Sequence, residues 1–195
     1  MTTVRNIAQG VRSFTSNVFL VEGERTVLVD AGNDFDAVER IEGAVDDLDA
    51  LVLTHTHPDH IGNARSVIER FDVDVWGYDA DASLVDYELA DGDTLAIGDA
   101  EYEALYTPGH KNDHLCFYSR DAGTLFAGDL IFANGGFGRT DLEEGDRSKL
   151  IESIEYVYET VDDDLAGMYV GHGPAVESHP KNHVELALQA AKTGF

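Results

Sequence analysis

Four residues that can bind a metal crowd one short stretch, Leu53 to Asn63, which reads LTHTHPDHIGN. His55, His57, Asp59 and His60 follow directly behind the apolar run ALVL. Imidazole nitrogens and a carboxylate together suit zinc, iron or manganese. Burial alone is a poor reason for such density, because hiding several imidazoles without partners is costly. His55 and His57 are two residues apart at a strand end, so both rings can turn one way once the backbone leaves the sheet. Asp59 and His60 fall in the first turn of a following helix and aim at the same space. Three further candidates sit in similar settings downstream: His110 closes LYTPGH, Asp129 closes LFAGD, and His172 lies in MYVGHGP. Pro58, Pro108 and Pro174 flank these positions, as rigid loops around a preorganised site would require.

The elements that must carry these residues can be read from apolar periodicity. Segments 17–23 and 25–32 read as two short strands, and 34–45 as a helix with Phe35, Val38, Ile41 and Val45 on one face. A strand buried on both faces is expected at 48–55, followed by one continuous helix over 58–71 with Pro58 in its first turn. Strands follow at 73–78, 94–99, 102–107, 114–119 and 123–132, then a helix over 148–161, a strand at 167–173 and a closing helix over 183–193. Two halves of strand-then-helix order predict an α/β fold, a four-layer αββα sandwich of two mixed sheets flanked by helices. The chain, 1–195, is expected to be a single domain.

Composition narrows the partners. Thirteen Lys and Arg stand against 38 Asp and Glu, a net charge of −25. That field repels nucleic acid and anionic membrane surfaces, so neither is an expected partner. The acids are scattered among ordinary apolar segments, and lysine is scarce, which points to a surface adapted to high salt. A lone cysteine, Cys116, fits a reducing cytoplasm and reads as a small buried hydrophobe rather than a nucleophile. The N-terminal segment has no apolar leader core, and no run of 18 apolar residues exists.

HTHPDH, followed in order by TPGH, GD and GHG, resembles the metallo-β-lactamase-fold hydrolases, over about Asn17 to Pro174. GGFGRTDLEEGD, at Gly135–Asp146, is similar to the glyoxalase II-like branch, which hydrolyses thioesters. That resemblance implies two zinc ions per chain, with iron or manganese as substitutes. It puts His55, His57 and His110 on one ion and Asp59, His60 and His172 on the other, with Asp129 bridging. A hydroxide shared by the ions would attack the carbonyl of a small acyl-thiol, and Asp59 could orient it while ligating. Thioesterases of this branch carry a separate C-terminal helical part that grips glutathione. Only about twenty residues follow His172, so that part is not expected.

Other readings share the same residues. A persulfide dioxygenase would use one iron on His55, His110 and Asp129, and a lactonase or β-lactamase would use the same fold. Arg139 is a candidate to meet a substrate carboxylate, or a brace for its own loop. His114 reads as a supporting or structural residue near the site. Asp30, closing VLVDAG, is either a buried group supporting the site or a turn acid, and the structural reading is preferred; His179 and His183 are assigned no role.

Overall fold

The computed structural model describes residues 2–78 and 84–194; the acidic positions Asp79 and Asp81 lie outside them. The architecture is α/β, with two mixed sheets and helices on each, as the order of strands and helices predicts. The chain forms two compact units, Met1–Leu89 with Ala96–Glu101, and Ala90–Leu95 with Tyr102–Phe195.

The first sheet has the order β1 (Thr3–Asn6), β2 (Phe19–Glu22), β3 (Val27–Val29), β4 (Ala50–Val52), β5 (Val75–Gly77) and β6 (Tyr87–Glu88). β1 to β3 are antiparallel neighbours, and β3 to β6 run parallel. Leu20, Leu28, Leu51 and Val75 face a core shared with α1 (Ala37–Glu42) and α3 (Ala64–Phe71). Their neighbours Phe19, Val21, Val27, Val29 and Val52 are buried as well, so both faces of the central strands are covered. That is why the sequence there is a continuous apolar run rather than an alternation. α1 starts where the Asp36 carboxylate accepts from Glu39 N–H at 2.9 Å.

The expected single helix over 58–71 is instead two. α2 (Pro58–Ile61) stops at Gly62, and α3 begins after Asn63. Competition for backbone partners breaks it. The carbonyl of Asp59 accepts from Ser16 N–H, and that of His60 accepts from both Ala31 and Gly32 N–H. Asn63 N–H turns to the Gly32 carbonyl at 3.0 Å instead of closing an α-helical turn. A side chain at Gly62 would lie 2.1 Å from Asn33 Oδ1, so only glycine lets the two loops meet. Strands β1 and β6 were not expected. They are edge strands with exposed positions, paired on one side only, and so lack the apolar signature of an inner strand.

The second sheet has the order β11 (Gly167–Val170), β10 (Thr124–Gly128), β9 (Leu115–Ser119), β8 (Ala100–Tyr106) and β7 (Thr94–Ile97). β10 pairs parallel with β11 and antiparallel with β9. Leu105, Cys116, Leu125 and Ala127 pack with Leu150, Ile154 and Val157 of α4 (Arg147–Thr160) and Val184, Ala187 and Ala191 of α5 (Pro180–Thr193). Asp146 caps α4, accepting from Ser148 and Lys149 N–H. No helix among the described residues is long and apolar enough to cross a membrane.

Asp30, Asp59, Asp113 and Asp129 are the buried acids among the described residues; the other described acids lie at the surface or are partly exposed. Salt screens such a coat. Raising potassium chloride from about 0.1 M to about 1 M is expected to raise the thermal midpoint followed by circular dichroism. A midpoint that falls or holds would count against net surface repulsion.

Candidate metal centre

The expected ligands lie in the segments that follow the C-terminal ends of strands, Asp59 and His60 within α2, and each unit supplies one set. In the first unit β4 ends at Val52 and the chain runs on through Thr54, His55 and His57 into α2. His55 and His60 are fully buried and Asp59 nearly so. Their rings meet closely: His55 and His60 centroids are 4.0 Å apart, and His55 Nε2 lies 3.1 Å from His57 Nδ1. His57 holds the N-cap position of α2 but makes no capping bond, so its ring is directed to His55 instead.

Asp30 organises this set. Its Oδ1 accepts from Thr54 N–H at 2.8 Å, and its Oδ2 accepts from Thr54 Oγ1 and from His60 Nδ1, each at 2.8 Å. A carboxylate can only accept, so His60 Nδ1 carries the proton and Nε2 holds the lone pair. The Thr54 hydroxyl spends its proton on Asp30, so His55 Nδ1 must donate to it at 3.1 Å. Nε2 of His55 is then also the lone-pair nitrogen. Asp30 is 3% exposed and has a φ of 59°, a conformation that aspartate tolerates better than most residues. Its buried charge is satisfied by three donors; losing one would cost about 1–3 kcal/mol.

The second unit repeats the device. β8 leads to His110, β10 to Asp129 and β11 to His172. His110 Nδ1 donates to the Arg139 carbonyl at 2.8 Å, which leaves Nε2 as the ligating nitrogen. Asp129 Oδ2 lies 3.4 Å from His110 Nε2 and 3.5 Å from His172 Nε2. Gly138 presses against this pair: a Cβ there would lie 2.0 Å from the Asp129 carbonyl oxygen and 3.1 Å from His110 Cβ. His114 is fully buried behind Asp129 and accepts its N–H at 3.0 Å. The Arg139 guanidinium forks onto Asp141, two bonds of 2.7 Å, and that partner pulls the Asp141 carboxyl down to about 2. Cys116 is buried, and burial pushes its thiol up to about 12, against the smaller opposing effect of the Thr107 hydroxyl. It is no nucleophile at neutral pH. His179 and His183 lie apart from both sets; His183 Nδ1 accepts from Asn134 N–H.

These donors fit a divalent metal. Two nitrogens on one tetrahedral zinc, each about 2.0–2.1 Å from the ion, stand roughly 3.3 Å apart. The 3.1 Å between His55 and His57, and the 3.4 and 3.5 Å from Asp129 to its two rings, are separations of that size. The described residues include groups of His and Asp that could hold a metal ion. Of the two readings the sequence offers for Asp30, the less favoured one, a buried group supporting the site, is what the contacts show, and neither Thr54 nor Thr107 is singled out by the sequence. The signal for Asp30 was its place at the end of the strand paired with β4.

The family description "Metallo-beta-lactamase superfamily" matches residues 11–179. The hydroxyacylglutathione hydrolase GloC of Haemophilus influenzae is 30% identical over 188 residues, 84% of this chain and 88% of that protein. Among solved structures, ETHE1 from Myxococcus xanthus aligns with a TM-score of 0.77 at 25% identity, covering 97% of this chain and 90% of that one. The protein TTHA1623, in a di-iron-bound form, aligns with a TM-score of 0.75 at 26% identity, covering 96% of each chain.

Asp30→Asn keeps the size and the tolerance for positive φ but removes the charge. It is expected to weaken zinc binding about 10–100-fold in chelator competition, with the fold intact by circular dichroism. Cys116 is expected to resist alkylation at pH 8 in the native protein and to react in denaturant, as read by intact mass.

Proposed function

Because the chain belongs to the metallo-β-lactamase superfamily of metallo-hydrolases, we propose that it is a dinuclear, metal-dependent hydrolase of small acyl-thiols. His55, His57 and His110 would hold one ion and Asp59, His60 and His172 the other, with Asp129 shared. Bound there, the ions would lower the pKa of a water molecule to near neutrality and polarise the substrate carbonyl. Zinc is the expected metal; iron and manganese suit the same donors.

The observation that carries this reading is the distance pattern at Asp129, whose Oδ2 stands about equally far from His110 Nε2 and His172 Nε2. These rings are assigned to different ions, so Asp129 is the residue the two would share. Support for an acyl-thiol comes from the GloC relative, aligned over most of its length.

The chain's own residues divide the remaining work. Asp30, Thr54 and the Arg139 carbonyl hold three rings by Nδ1, so Nε2 is the nitrogen each would offer a metal. Asp59 would ligate and accept a hydrogen bond from the attacking water. A thiolate leaves readily, so no strong general acid is required, and none beyond these groups is invoked. Arg139 would line the substrate pocket; a carboxylate on the thiol would compete with Asp141 for its fork. We place the enzyme in the cytoplasm, with its acidic coat suited to high salt.

The test is metal counting on protein purified without chelators, with S-lactoyl thiol hydrolysis assayed in high salt. About two zinc ions per chain and hydrolysis are expected. One iron per chain, with oxygen consumed on a persulfide, would overturn the proposal in favour of a dioxygenase. His57→Ala and Asp129→Ala should each lower kcat/KM by about 10³-fold or more; full activity in either would remove the assigned site.

A further inference from the structure

We infer that His114 is a positioning residue, which sets both the Asp129 carboxylate and the loop carrying His110. The inference rests on the metal centre proposed above. His114 lies within 107–114, a loop whose two ends are closed by Thr107 N–H donating to the His114 carbonyl at 3.0 Å. The side chains close it a second time, His114 Nδ1 to Thr107 Oγ1 at 2.8 Å. The third contact reaches out of the loop, from Asp129 N–H to His114 Nε2 at 3.0 Å.

The tautomer follows from the partners. A backbone amide can only donate, so Nε2 accepts and Nδ1 carries the proton. Nδ1–H then donates to Thr107 Oγ1, and the hydroxyl proton is left for Cys116 Sγ at 3.4 Å or the Leu105 carbonyl at 3.4 Å. One neutral imidazole thus ties the end of β8, the base of the His110 loop and the residue after β10. It is fully buried, and its ring stands edge-on to that of His110, with centroids 6.4 Å apart.

The geometry explains why a histidine stands there rather than another buried residue. Asp129 follows Gly128, whose φ of 48° turns the chain out of β10. The Asp129 amide has left the sheet ladder at that turn, and its hydrogen bond goes to His114. Fixing that amide fixes the backbone from which the carboxylate projects to His110 and His172. An apolar residue at 114 would fill space but leave the Asp129 amide and Thr107 hydroxyl without this partner. Glutamine can place a carbonyl oxygen near the position of Nε2 and so retain the bond to the amide.

The experiment compares wild type, His114→Gln and His114→Leu as full-length protein. Zinc affinity is read by chelator competition, and exchange of the Asp129 amide by NMR. His114→Leu is expected to weaken zinc binding about 10–100-fold and to speed exchange of the Asp129 amide, while His114→Gln restores most of both. If His114→Leu fails to fold, the inference stands or falls on His114→Gln against His114→Ala. Equal zinc affinity and equal amide protection in wild type and the variant lacking the acceptor would overturn it. A wild type that binds no zinc would overturn the proposed centre, and with it this inference. Wild-type binding with an indifferent His114 variant would overturn the inference alone.

Discussion

An imidazole has two nitrogens, and one must be held if the other is to be aimed. That constraint runs through both sets of ligands in this protein. His60 is held by a buried carboxylate, His55 by a threonine hydroxyl that has already given its proton away, and His110 by a backbone carbonyl. Each partner accepts, so each fixes the proton on Nδ1 and leaves the lone pair on Nε2. The rings are therefore oriented before any ion arrives, with Nε2 the nitrogen left for it.

The hydrogen bonds that aim the rings come from groups that ordinary packing would not bury. Asp30 is charged, almost fully enclosed and in a left-handed conformation, and it persists because Thr54 and His60 give it three donors. Gly62 and Gly138 allow backbone to approach where any side chain would collide. Local stability is spent on geometry here, and the well-packed apolar cores behind each sheet supply what offsets it.

The same economy appears in the charges. The chain carries 38 acids, yet of the four buried among the described residues two are proposed ligands and a third supports one. Asp59 and Asp129 are the proposed ligands, one in each unit, and Asp30 sits behind His60. Cations would offset that negative charge where it is least solvated, while the surface acids remain open to water and salt. The fourth, Asp113, lies 3.3 Å from Lys111 and so has a cation of its own.

Much of this was legible in the residues. The strand and helix order, the ligand types and their places at strand ends all follow from apolar periodicity and from the spacing of His, Asp, Gly and Pro, which are local properties of the chain. The continuous helix expected over 58–71 was wrong for the complementary reason. Its carbonyls and amides were claimed by loops at Ser16, Ala31 and Gly32, which sequence distance hides. Asp30 likewise reads as a turn acid until β3 pairs with β4 and sets it against Thr54. By itself, then, the sequence determined which residues could hold a metal and which elements carry them. Only the tertiary structure decided which nitrogen His55, His60 and His110 present, because a tautomer depends on a partner that the fold brings near.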